Sequence, residues 1–428
     1  MTDKKEVFGM RFGQTAGGCA AAVLVAAMLA ACTSSSTSSQ SSSTSAPAGS
    51  NGTVIKIGVE LPLSGGDAAN GIPTNNGVLL AVEEANKAGV PGGFTFADDS
   101  LDDAVQGAHD PAQGAQNTKN FISDSAVLAM VGPFNSNVAK AEIPLTNDAE
   151  LAEISPSNTN PGLTLGDDAK KLRTSHPDID SYFRVCTTDD KQGAAGAQFA
   201  RKLGFKKVFI VDDNETYGKG LADVFDAAFR KAGGSVLGHE HLTKNQQDFK
   251  ALLTKAHSLG PDFIYYGGTT VTGGGLLRKQ MADAGMGSIP YVGGDGISDD
   301  TFLKQAGSMA NNSYYTVAAP EASKLASAKG FIAAYKAKFK SDVGPYSANA
   351  YTAAKIEIAA ILKALQADGN KLPTRAEVRK NVAATKNFVS PIGNVGFDAN
   401  GDTTAPILSI YKISGGKAQF VDQINLKT

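Results

Sequence analysis

The chain has 428 residues, 42% of them hydrophobic, which is enough apolar material for two or three domains with proper cores. Its formal net charge is −2, and no run of Lys and Arg is long enough to follow a phosphate backbone, so nucleic acid is excluded as an expected partner. Tryptophan is absent and glycine occurs 47 times, which suits tightly turned βα units better than an aromatic-lined β-sandwich.

The start of the chain has the features of a signal peptide, residues 1–31. Basic side chains within 4–11 precede an apolar segment, 20–31, which is too short to span a bilayer comfortably but fits the apolar region of an export signal. Its end, LAAC, resembles the lipobox of bacterial lipoproteins, which implies that the Cys32 thiol accepts diacylglycerol. A cysteine that follows an apolar segment by chance is the alternative. We therefore expect an exported protein that is lipid-anchored to the outer face of the bacterial cytoplasmic membrane.

The segment that follows, residues 32–52, is nearly pure Ser and Thr after the cysteine and has nothing to bury. This composition predicts a disordered tether, and flexible-chain scaling gives it a length of roughly 25 Å. Cys19 leaves with the signal and Cys32 would carry lipid, so Cys186 stands alone and no disulfide within the mature chain is expected. We expect Cys186 to be an inert, small hydrophobic side chain.

From Thr53 the chain alternates short apolar runs, which predict buried strands, with amphipathic stretches, which predict helices. Pro144 weakens one of these helices or predicts a kink in it. The alternation predicts an α/β fold with doubly wound parallel sheets. The predicted strands are residues 54–63, 127–132, 151–155, 207–213, 235–242 and 261–268, and the predicted helices are 77–89, one from about Asn137, 218–233 and 248–260.

Two such sheets are predicted, with a crossover between lobes where residues 182–192 change from apolar to polar. An ordinary loop is the alternative for this stretch. Ligands of open α/β sheets bind beyond the carboxyl ends of the strands. Two facing sheets would therefore gather their polar strand ends around one cleft, and these ends are residues 132–137, 155–159, 212–217, 266–270 and 293–296.

Eight motifs span this region: IKIGVELPLSG, GVLLAVEEANKAG, MVGPFNSNVAKA, ISPSNTNPGLT, YFRVCTTDDKQGAAGAQFA, VFIVDDNETYGKGLADVF, DFIYYGGTTVTGGGLLRKQMADAG and GNVGFDANGD. In order and spacing they resemble the leucine/isoleucine/valine family of periplasmic solute-binding proteins, which serve ABC transporters. The resemblance implies a type I periplasmic binding protein fold, with two lobes, three hinge crossovers and a ligand enclosed between the lobes. It implies lobe 1 at 53–186, with about 317–390 returning to it, and lobe 2 at 187–316, with about 391–428 returning to it.

The family holds an amino acid by its main-chain groups, and the resemblance implies which residues do so here. Ser136 matches a hydroxyl beside a helix start, and Ser157, Asn158 and Thr159 match the segment that completes the carboxylate site. Helix-start N–H groups and neutral hydroxyls favour an anion, which agrees with this assignment. Residues 153–161 also contain the usual turn formers, so a plain turn is the alternative.

Further residues are implied for the ammonium and the side chain of the ligand. Asp295 matches an acid that pairs with the ligand ammonium, and an isolated surface Asp is the alternative. Tyr217 and Tyr346 match aromatic walls of the cleft. Asn70 and Thr269 stand where close relatives carry large aromatic rings. They make the side-chain pocket more polar or roomier, so the expected ligand is an amino acid that is branched-chain-like or more polar.

An enzyme would need a nucleophile with a base, a metal cage or a phosphate loop, and these patterns are weak here. GTTVTGGG from residue 268 has the spacing of a phosphate loop without its lysine, and GKG at 218–220 does not continue as a dinucleotide fingerprint. HEH at 239–241 predicts a strand with two same-face residues rather than a zinc site. We therefore expect neither catalysis, nor a cofactor, nor a metal.

The sequence thus predicts a monomeric solute-binding lipoprotein of an ABC importer, which delivers an amino acid to permease and ATPase subunits on other chains. A receptor subunit that senses a small carboxylate or amide is the alternative, because closed lobes can signal as well as deliver. Permease and ATPase genes beside this one would distinguish the two.

Overall fold

The alternation predicted from Thr53 onward builds two sheets in the computed structural model, which describes residues 52–426. The predicted signal peptide, Cys32 and the predicted tether up to residue 51 lie outside the described residues. We call the first sheet with its helices lobe 1 and the second sheet with its helices lobe 2.

The described strands and helices follow each other along the whole chain. The strands are β1 (Val54–Leu61), β2 (Thr95–Asp102), β3 (Ala104–Val105), β4 (Ala108–His109), β5 (Val127–Val131), β6 (Ala152–Ser155), β7 (Tyr182–Arg184), β8 (Lys207–Asp212), β9 (Ser235–His241), β10 (Phe263–Gly267), β11 (Tyr291–Gly293), β12 (Ser313–Val317), β13 (Phe388–Ser390), β14 (Gly393–Val395), β15 (Ile407–Ser414) and β16 (Lys417–Asn425). The helices are α1 (Ala68–Ala88), α2 (Pro111–Ser123), α3 (Ser136–Asp148), α4 (Gly166–Leu172), α5 (Asp189–Lys202), α6 (Thr216–Lys231), α7 (Lys250–Leu259), α8 (Gly275–Gln280), α9 (Asp300–Ala306), α10 (Lys329–Phe339), α11 (Ser347–Ala367) and α12 (Arg375–Ala383).

The sheet of lobe 1 is parallel throughout, in the order β2-β1-β5-β6-β7. β5 is buried at every position, as expected of a parallel strand that is covered by helices on both faces. The long helices α1 and α11 pack against each other, and α11 and α12 contact β5 and β6. The core between these elements includes Ile57, Val59 and Ile361, which are fully buried.

The sheet of lobe 2 has the order β16-β15-β12-β11-β10-β8-β9 and is parallel from β9 to β12. β15 and β16 extend it as an antiparallel ribbon at one edge, which the sequence analysis did not predict. α6 packs on β8, β9 and β10, where the Phe225 ring stacks on Tyr265 with centroids 3.6 Å apart. The prediction of two doubly wound α/β lobes is confirmed, with this ribbon as an addition.

α1 is longer than predicted, since it begins at Ala68 rather than near residue 77, although Pro73 lies inside it. A proline in a helix cannot donate to the carbonyl four residues earlier, which for Pro73 is that of Ala69. Here the Pro73 carbonyl accepts hydrogen bonds from the hydroxyls of Tyr335 and Ser347, at 3.0 and 2.7 Å. Contacts with other helices therefore support a turn that the local sequence disfavours. α3 likewise runs on through Pro144.

Within the described residues the chain passes between the lobes after β7, after β12 and after β14. These passages are bonded to one another: the Thr187 N–H donates to the Ala318 carbonyl at 2.9 Å, and the Thr187 hydroxyl donates to the Ile407 carbonyl at 2.8 Å. The third passage comes later than the predicted position near residue 391. Val395 and Phe397 are still packed in the core of lobe 1, so that segment stays with lobe 1.

Residues 52–426 belong to one compact unit, so the two lobes contact each other. Within residues 52–426, none of the helices combines the length and the apolar character needed to cross a bilayer. The loops that follow the carboxyl ends of the parallel strands supply many of the contacts between the lobes, and these loops contain the residues considered next.

Candidate functional site between the lobes

The residues predicted to bind a ligand are almost completely buried and lie where the lobes meet. They follow β1, β5, β6, β8, β10 and β11, with one more immediately before α11, so the strand ends of both sheets converge as the fold class requires. Each is 8% exposed or less, and the set is Asn70, Ser136, Ser157, Asn158, Thr159, Tyr217, Thr269, Asp295 and Tyr346.

Direct hydrogen bonds join the lobes, so the structure is a closed arrangement. The Asn160 side-chain amide donates to the Thr216 carbonyl at 2.7 Å, and the Thr301 hydroxyl donates to the Gly66 carbonyl at 3.0 Å. Gly66 also permits the close approach of the lobes, because a Cβ atom there would lie 2.3 Å from Cγ1 of Val271.

Asp295 is the centre of a polar cluster on the lobe 2 side of the cleft. Its Oδ1 accepts hydrogen bonds from the Gln192 amide at 2.6 Å and from the Tyr217 hydroxyl at 3.1 Å. The Tyr217 hydroxyl in turn accepts from the Gly296 N–H at 3.1 Å, so its orientation is set from both sides. Burial raises the pKa of Asp295 above its usual value, although the Gln192 hydrogen bond works in the opposite direction.

A second acid, Asp189, lies near Asp295 at the start of α5. Among the described residues, neither oxygen of its carboxyl group has a hydrogen-bond partner, and the residue is fully buried. Burial, followed by the neighbouring charge of Asp295, raises the pKa of Asp189 well above its usual value. Two buried acids close together are unfavourable while both are charged, and a cation between them would remove that penalty.

Thr159 connects lobe 1 to this acidic end. Its carbonyl accepts the Asp189 N–H at 2.8 Å, and its hydroxyl faces the Asp189 carboxyl without reaching hydrogen-bond geometry. The hydroxyl is buried and has no partner within residues 52–426. Thr159 therefore keeps a donor and acceptor available inside the closed cleft.

Ser136 is the first residue of α3, on the lobe 1 side. The side chain of the preceding residue, Asn135, does not cap the N–H groups of this helix. The Ser136 hydroxyl oxygen accepts the Asn160 N–H at 3.4 Å, which leaves its hydrogen free to donate elsewhere. Free N–H groups and the helix dipole make this terminus favourable for an anion.

Ser157 and Asn158 use their side chains to hold the loop rather than to face the cleft. The Ser157 hydroxyl donates to the Phe134 carbonyl at 2.9 Å, and the Asn158 side-chain oxygen accepts from the Tyr182 hydroxyl at 3.0 Å. The Asn158 carbonyl also accepts from the buried Arg184 at 3.0 Å. The N–H groups of both residues also donate to the Ser155 hydroxyl oxygen, at 3.2 and 2.9 Å. The donor left unused is the Asn158 side-chain nitrogen, which is buried without a partner among the described residues.

Asn70 and Thr269, which were predicted to border the side chain of a ligand, both make polar contacts. The Asn70 amide reaches across the lobes to Oδ2 of Asp299 at 3.5 Å, and the Thr270 hydroxyl donates to the same oxygen at 2.8 Å. Thr269 caps the short turn that it begins: its hydroxyl accepts the Thr272 N–H at 3.4 Å, and its own N–H donates to the Thr272 hydroxyl at 2.9 Å. Burial raises the pKa of Asp299 to about 6. This end of the cleft is thus polar.

Tyr346 forms an aromatic wall at the junction of the lobes. Its ring meets Phe134 edge-on, with centroids 5.6 Å apart and planes at 84°. Its hydroxyl is buried and faces the Asp295 carboxyl, but it reaches hydrogen-bond geometry with none of the described residues. A buried hydroxyl without a partner is costly, so this group is also available to a bound polar solute.

A charged contact between the lobes lies beside the cleft at His109, the last residue of β4 in the short hairpin with β3. Its Nδ1 is 2.8 Å from Oδ2 of Asp67 in lobe 1, and its Nε2 is 2.9 Å from Oε2 of Glu215 in lobe 2. The Asn137 amide donates to the same oxygen of Glu215 at 3.0 Å. Burial opposes a charge on His109, but the hydrogen bonds with Asp67 and Glu215 outweigh it and raise the pKa well above its usual value.

The sequence analysis missed Asp189, Gln192 and His109. Asp189 and Gln192 are three residues apart at a helix start that follows the first passage between lobes. Ser136 was selected because it is a polar residue at a helix start that follows a strand. The same criterion would have selected Asp189 and Gln192. No local pattern identifies His109, because its partner Glu215 is 106 residues away along the chain.

Among residues 52–426, the side chains arranged to hold a metal ion are Asp212, His239 and His241, which are not part of this cluster. The cleft offers carboxyl, hydroxyl, amide and helix-start N–H groups. These groups are suited to a small polar solute that carries charges of both signs.

The chain matches the periplasmic binding protein family over residues 54–417. The Leu/Ile/Val-binding protein homolog 3 of Brucella melitensis is 33% identical over 368 residues, which cover 85% of this chain and 92% of that protein. The leucine binding protein LivK of Thermotoga maritima has a TM-score of 0.75 at 27% identity, over 87% of this chain and 99% of that chain. LivJ of Streptococcus pneumoniae, a branched-chain amino acid transporter substrate binding protein solved with isoleucine, has a TM-score of 0.73 at 29% identity, over the same shares.

Proposed function

The chain belongs to the periplasmic binding protein family, and from that premise we propose that it closes on an amino acid and delivers it to an ABC importer. The observation that carries the proposal is the pair of buried acids, Asp189 and Asp295, in the same closed cleft as the start of α3, whose N-cap residue makes no side-chain cap. An α-amino acid has an ammonium for one end of this arrangement and a carboxylate for the other. The binding of leucine, isoleucine or valine by relatives supports the same ligand class.

The ammonium of the ligand lies at the acidic end. Asp295 accepts it directly, with its own position set by Gln192 and Tyr217. Asp189 adds negative charge, and the Thr159 hydroxyl oxygen, which has no partner among the described residues, accepts one N–H. A charged hydrogen bond in a closed site is stronger than a neutral one, so this end supplies most of the recognition.

The carboxylate of the ligand lies at the start of α3. The Ser136 hydroxyl and the N–H groups of the first turn donate to it, and the hydrogen bond of the Asn160 N–H with the Ser136 hydroxyl brings the end of segment 157–159 beside them. The helix dipole favours an anion there without a buried positive side chain. Ligand charges are thus matched by an acid at one end and by neutral donors at the other.

The side chain of the ligand points toward Asn70, Thr269 and Tyr346. Asn70 and Thr270 share Asp299, so a purely aliphatic ligand would meet polar groups here. A small or polar amino acid therefore binds at least as well as leucine. The protein performs no chemistry, and closure of the lobes on the ligand is the form that the permease recognises.

The protein works as a monomer, outside the cytoplasm, on a lipid anchor at Cys32. The lipobox-like LAAC and the Ser/Thr-rich segment after it support this part of the proposal. The permease and ATPase subunits are separate chains. Receptor function with a small carboxylate or amide as ligand remains the competing assignment, and it predicts that Asp295 is dispensable for binding.

Calorimetric titration of the fragment Thr53–Thr428 with each amino acid tests the function. One or more amino acids should bind with a stoichiometry of one, and serine, threonine or another small polar residue should match or exceed leucine. Binding by none of them, together with binding of a simple carboxylate or amide, would replace the amino-acid assignment by the competing one.

A further inference from the structure

A second cluster of polar side chains lies at the edge of the lobe 2 sheet. Asp212 is the last residue of β8, and His239 and His241 lie on β9, which is the edge strand. In the parallel register His241 is opposite Asp212, and His239 is opposite Ile210. Because side chains alternate along a strand, Asp212 and both imidazoles point to the same face of the sheet.

The donor atoms of these three side chains converge on one place. Nε2 of His239 is 2.7 Å from Oδ2 of Asp212, and Nδ1 of His241 is 2.8 Å from the same oxygen. One nitrogen from each imidazole and one carboxylate oxygen all lie within 4.8 Å of one another. Metal–ligand bonds of about 2.0–2.2 Å need ligand atoms roughly 3 to 3.5 Å apart, so small side-chain rotations would admit an ion.

Groups around the cluster hold its members in place, as they do in protein metal sites. The other ring nitrogen of His239, Nδ1, is 3.4 Å from Oδ2 of Asp226 on α6. Asp226 is itself paired with Arg230 one turn later. The Asn214 N–H donates to Oδ1 of Asp212 at 2.8 Å. A carboxylate behind a ligating histidine fixes the ring orientation and increases the basicity of the ligating nitrogen.

The three side chains differ in burial, and this difference lets an ion reach the cluster from solvent. The Asp212 side chain is fully buried, whereas those of His239 and His241 are 17% and 44% exposed. The carboxylate is thus held rigidly by the fold, and the histidine side remains open to solvent. Three protein ligands with an open side leave room for one or more water ligands.

Ion pairing between Asp212 and the two histidines explains this arrangement less completely than metal binding does. The two imidazoles share one carboxylate, and their ring centroids are 5.1 Å apart. Asp226 contacts only the far nitrogen of His239, so the Asp212 carboxylate alone lies where the nitrogens of both rings converge. A divalent cation instead uses both rings in their neutral form and satisfies the buried carboxylate.

We propose that Asp212, His239 and His241 form a binding site for one divalent transition-metal ion, with zinc the preferred class. Imidazole nitrogen with carboxylate oxygen is a donor set that suits zinc, copper and nickel better than magnesium or calcium. The ion joins the edge strand β9 to its neighbour β8 and, through Asp226, to α6. This site uses none of the residues proposed to hold the amino acid.

Titration calorimetry with zinc sulfate tests the site on the full chain, made without a polyhistidine tag and stripped of metal by a chelator. The parent should bind one equivalent. The variant His241→Ala should bind at least tenfold more weakly, and His239→Ala/His241→Ala should show no binding at this place. His257→Ala removes an exposed histidine on α7 and should bind as the parent does.

Thermal unfolding supplies a readout that does not depend on the heat of binding. Zinc should raise the melting temperature of the parent and of His257→Ala but not that of the double variant, because an ion that binds the folded form stabilises it. Equal zinc binding by the parent and the double variant would place the ion elsewhere, for example on a cysteine, and would overturn the proposal. Absence of saturable binding to a folded parent would also overturn it and leave the cluster an ion pair.

Discussion

The Tyr217 hydroxyl donates a hydrogen bond to Oδ1 of Asp295 at 3.1 Å, although the two residues are 78 positions apart in the chain. Tyr217 lies on the first turn of α6 and Asp295 follows β11, so two strand ends of lobe 2 meet at this bond. The contact sets the direction of a carboxylate that is buried in the closed cleft. In the proposed ammonium site, this fixed orientation reduces the ordering cost of binding.

Removal of the acid should weaken ligand binding more than removal of a hydroxyl. We expect Asp295→Asn to lower affinity at least a hundredfold, because breaking a buried charge pair costs about 3–5 kcal/mol. Thr159→Val should lower affinity about tenfold, since a neutral hydrogen bond contributes about 0.5–1.5 kcal/mol. Calorimetry with the best ligand from the amino-acid screen measures both.

The ligand-free proteins provide the control for this comparison. Asp295→Asn should unfold at a temperature no lower than the parent, because burial already disfavours the charged form of Asp295. A loss of binding without a loss of stability then assigns the acid to the ligand. If Asp295→Asn binds as tightly as the parent, the ligand has no ammonium at this position and the solute is a carboxylate or an amide.

The His109 contact should hold the lobes closed in a pH-dependent manner. His109 with a raised pKa is charged at neutral pH, so its contribution to the closed form is present there and is lost as pH rises through that pKa. His109→Gln should release the ligand about tenfold faster at pH 7, since hydrogen bonds between charged groups contribute about 1.5–3 kcal/mol. Stopped-flow measurement of release between pH 6 and pH 10 should show a rate that rises with pH in the parent and is flatter in the variant.

The pH dependence of the ligand-release rate also depends on other titratable groups that face His109. Besides Asp67 and Glu215, these are Asp103 and Asp213, and burial raises the pKa of each of these two acids to about 7. They gain negative charge as pH rises past about 7, which favours the charged form of His109.

His257→Gln serves as the matched control and should release ligand as the parent does. Equal release rates for the parent and His109→Gln at both ends of the range would disprove the role of this contact in closure.

Buried acids in lobe 1 should make the protein less stable at alkaline pH. Glu60, Glu142 and Glu153 are fully buried. Burial raises the pKa of Glu153 to about 8 and raises the pKa values of Glu60 and Glu142 well above the ordinary 4.5. In the unfolded chain these groups titrate near 4.5, so the folded protein holds more protons and its unfolding free energy falls as pH rises from 4.5 through 8 and beyond.

The variant Glu142→Gln tests this because it keeps the shape of the side chain without its charge. At pH 8 it should have an unfolding free energy higher than the parent by on the order of 1 kcal/mol or more, and at pH 5 the difference should become small. Urea unfolding at both pH values measures the difference. Asp283→Asn, an exposed change, should follow the parent at both. A parent that is equally stable at pH 5 and pH 8 would contradict this account.

The proposed lipid anchor is attached at Cys32, which lies outside the described residues. Cys32→Ala should accumulate as an unprocessed precursor, whereas the parent should partition with membranes. Cleavage within residues 33–52 should release a soluble body that still binds ligand. Several acyl chains are needed for stable retention, because one chain binds a membrane only marginally. Mass spectrometry that finds an unmodified Cys32 in the mature cellular protein would rule out the anchor.

The order of strands and helices could be predicted because each element carries its own period of apolar residues. The fully buried strand β5 and the amphipathic helix α6 are examples, and both lie close to their predicted ranges. The start of α1 was predicted nine residues too late, because the local pattern does not show the contacts that hold the turn around Pro73. The Pro73 carbonyl is bonded by Tyr335 and Ser347, which come more than 260 residues later in the chain. The antiparallel ribbon of β15 and β16 was missed because the prediction relied on the alternation of strands and helices.

The sequence by itself determined the α/β class, the family resemblance and the strand ends that border the cleft, because apolar periodicity and turn residues are local properties. Only the tertiary structure decided which polar groups face each other there. It placed Asp189 near Asp295, showed that Ser157 and Asn158 use their side chains to hold the loop, and brought His239 and His241 to Asp212. These contacts depend on the distance between residues that are far apart in the chain. That distance is set by how the sheets and lobes pack, and a local pattern contains no information about it.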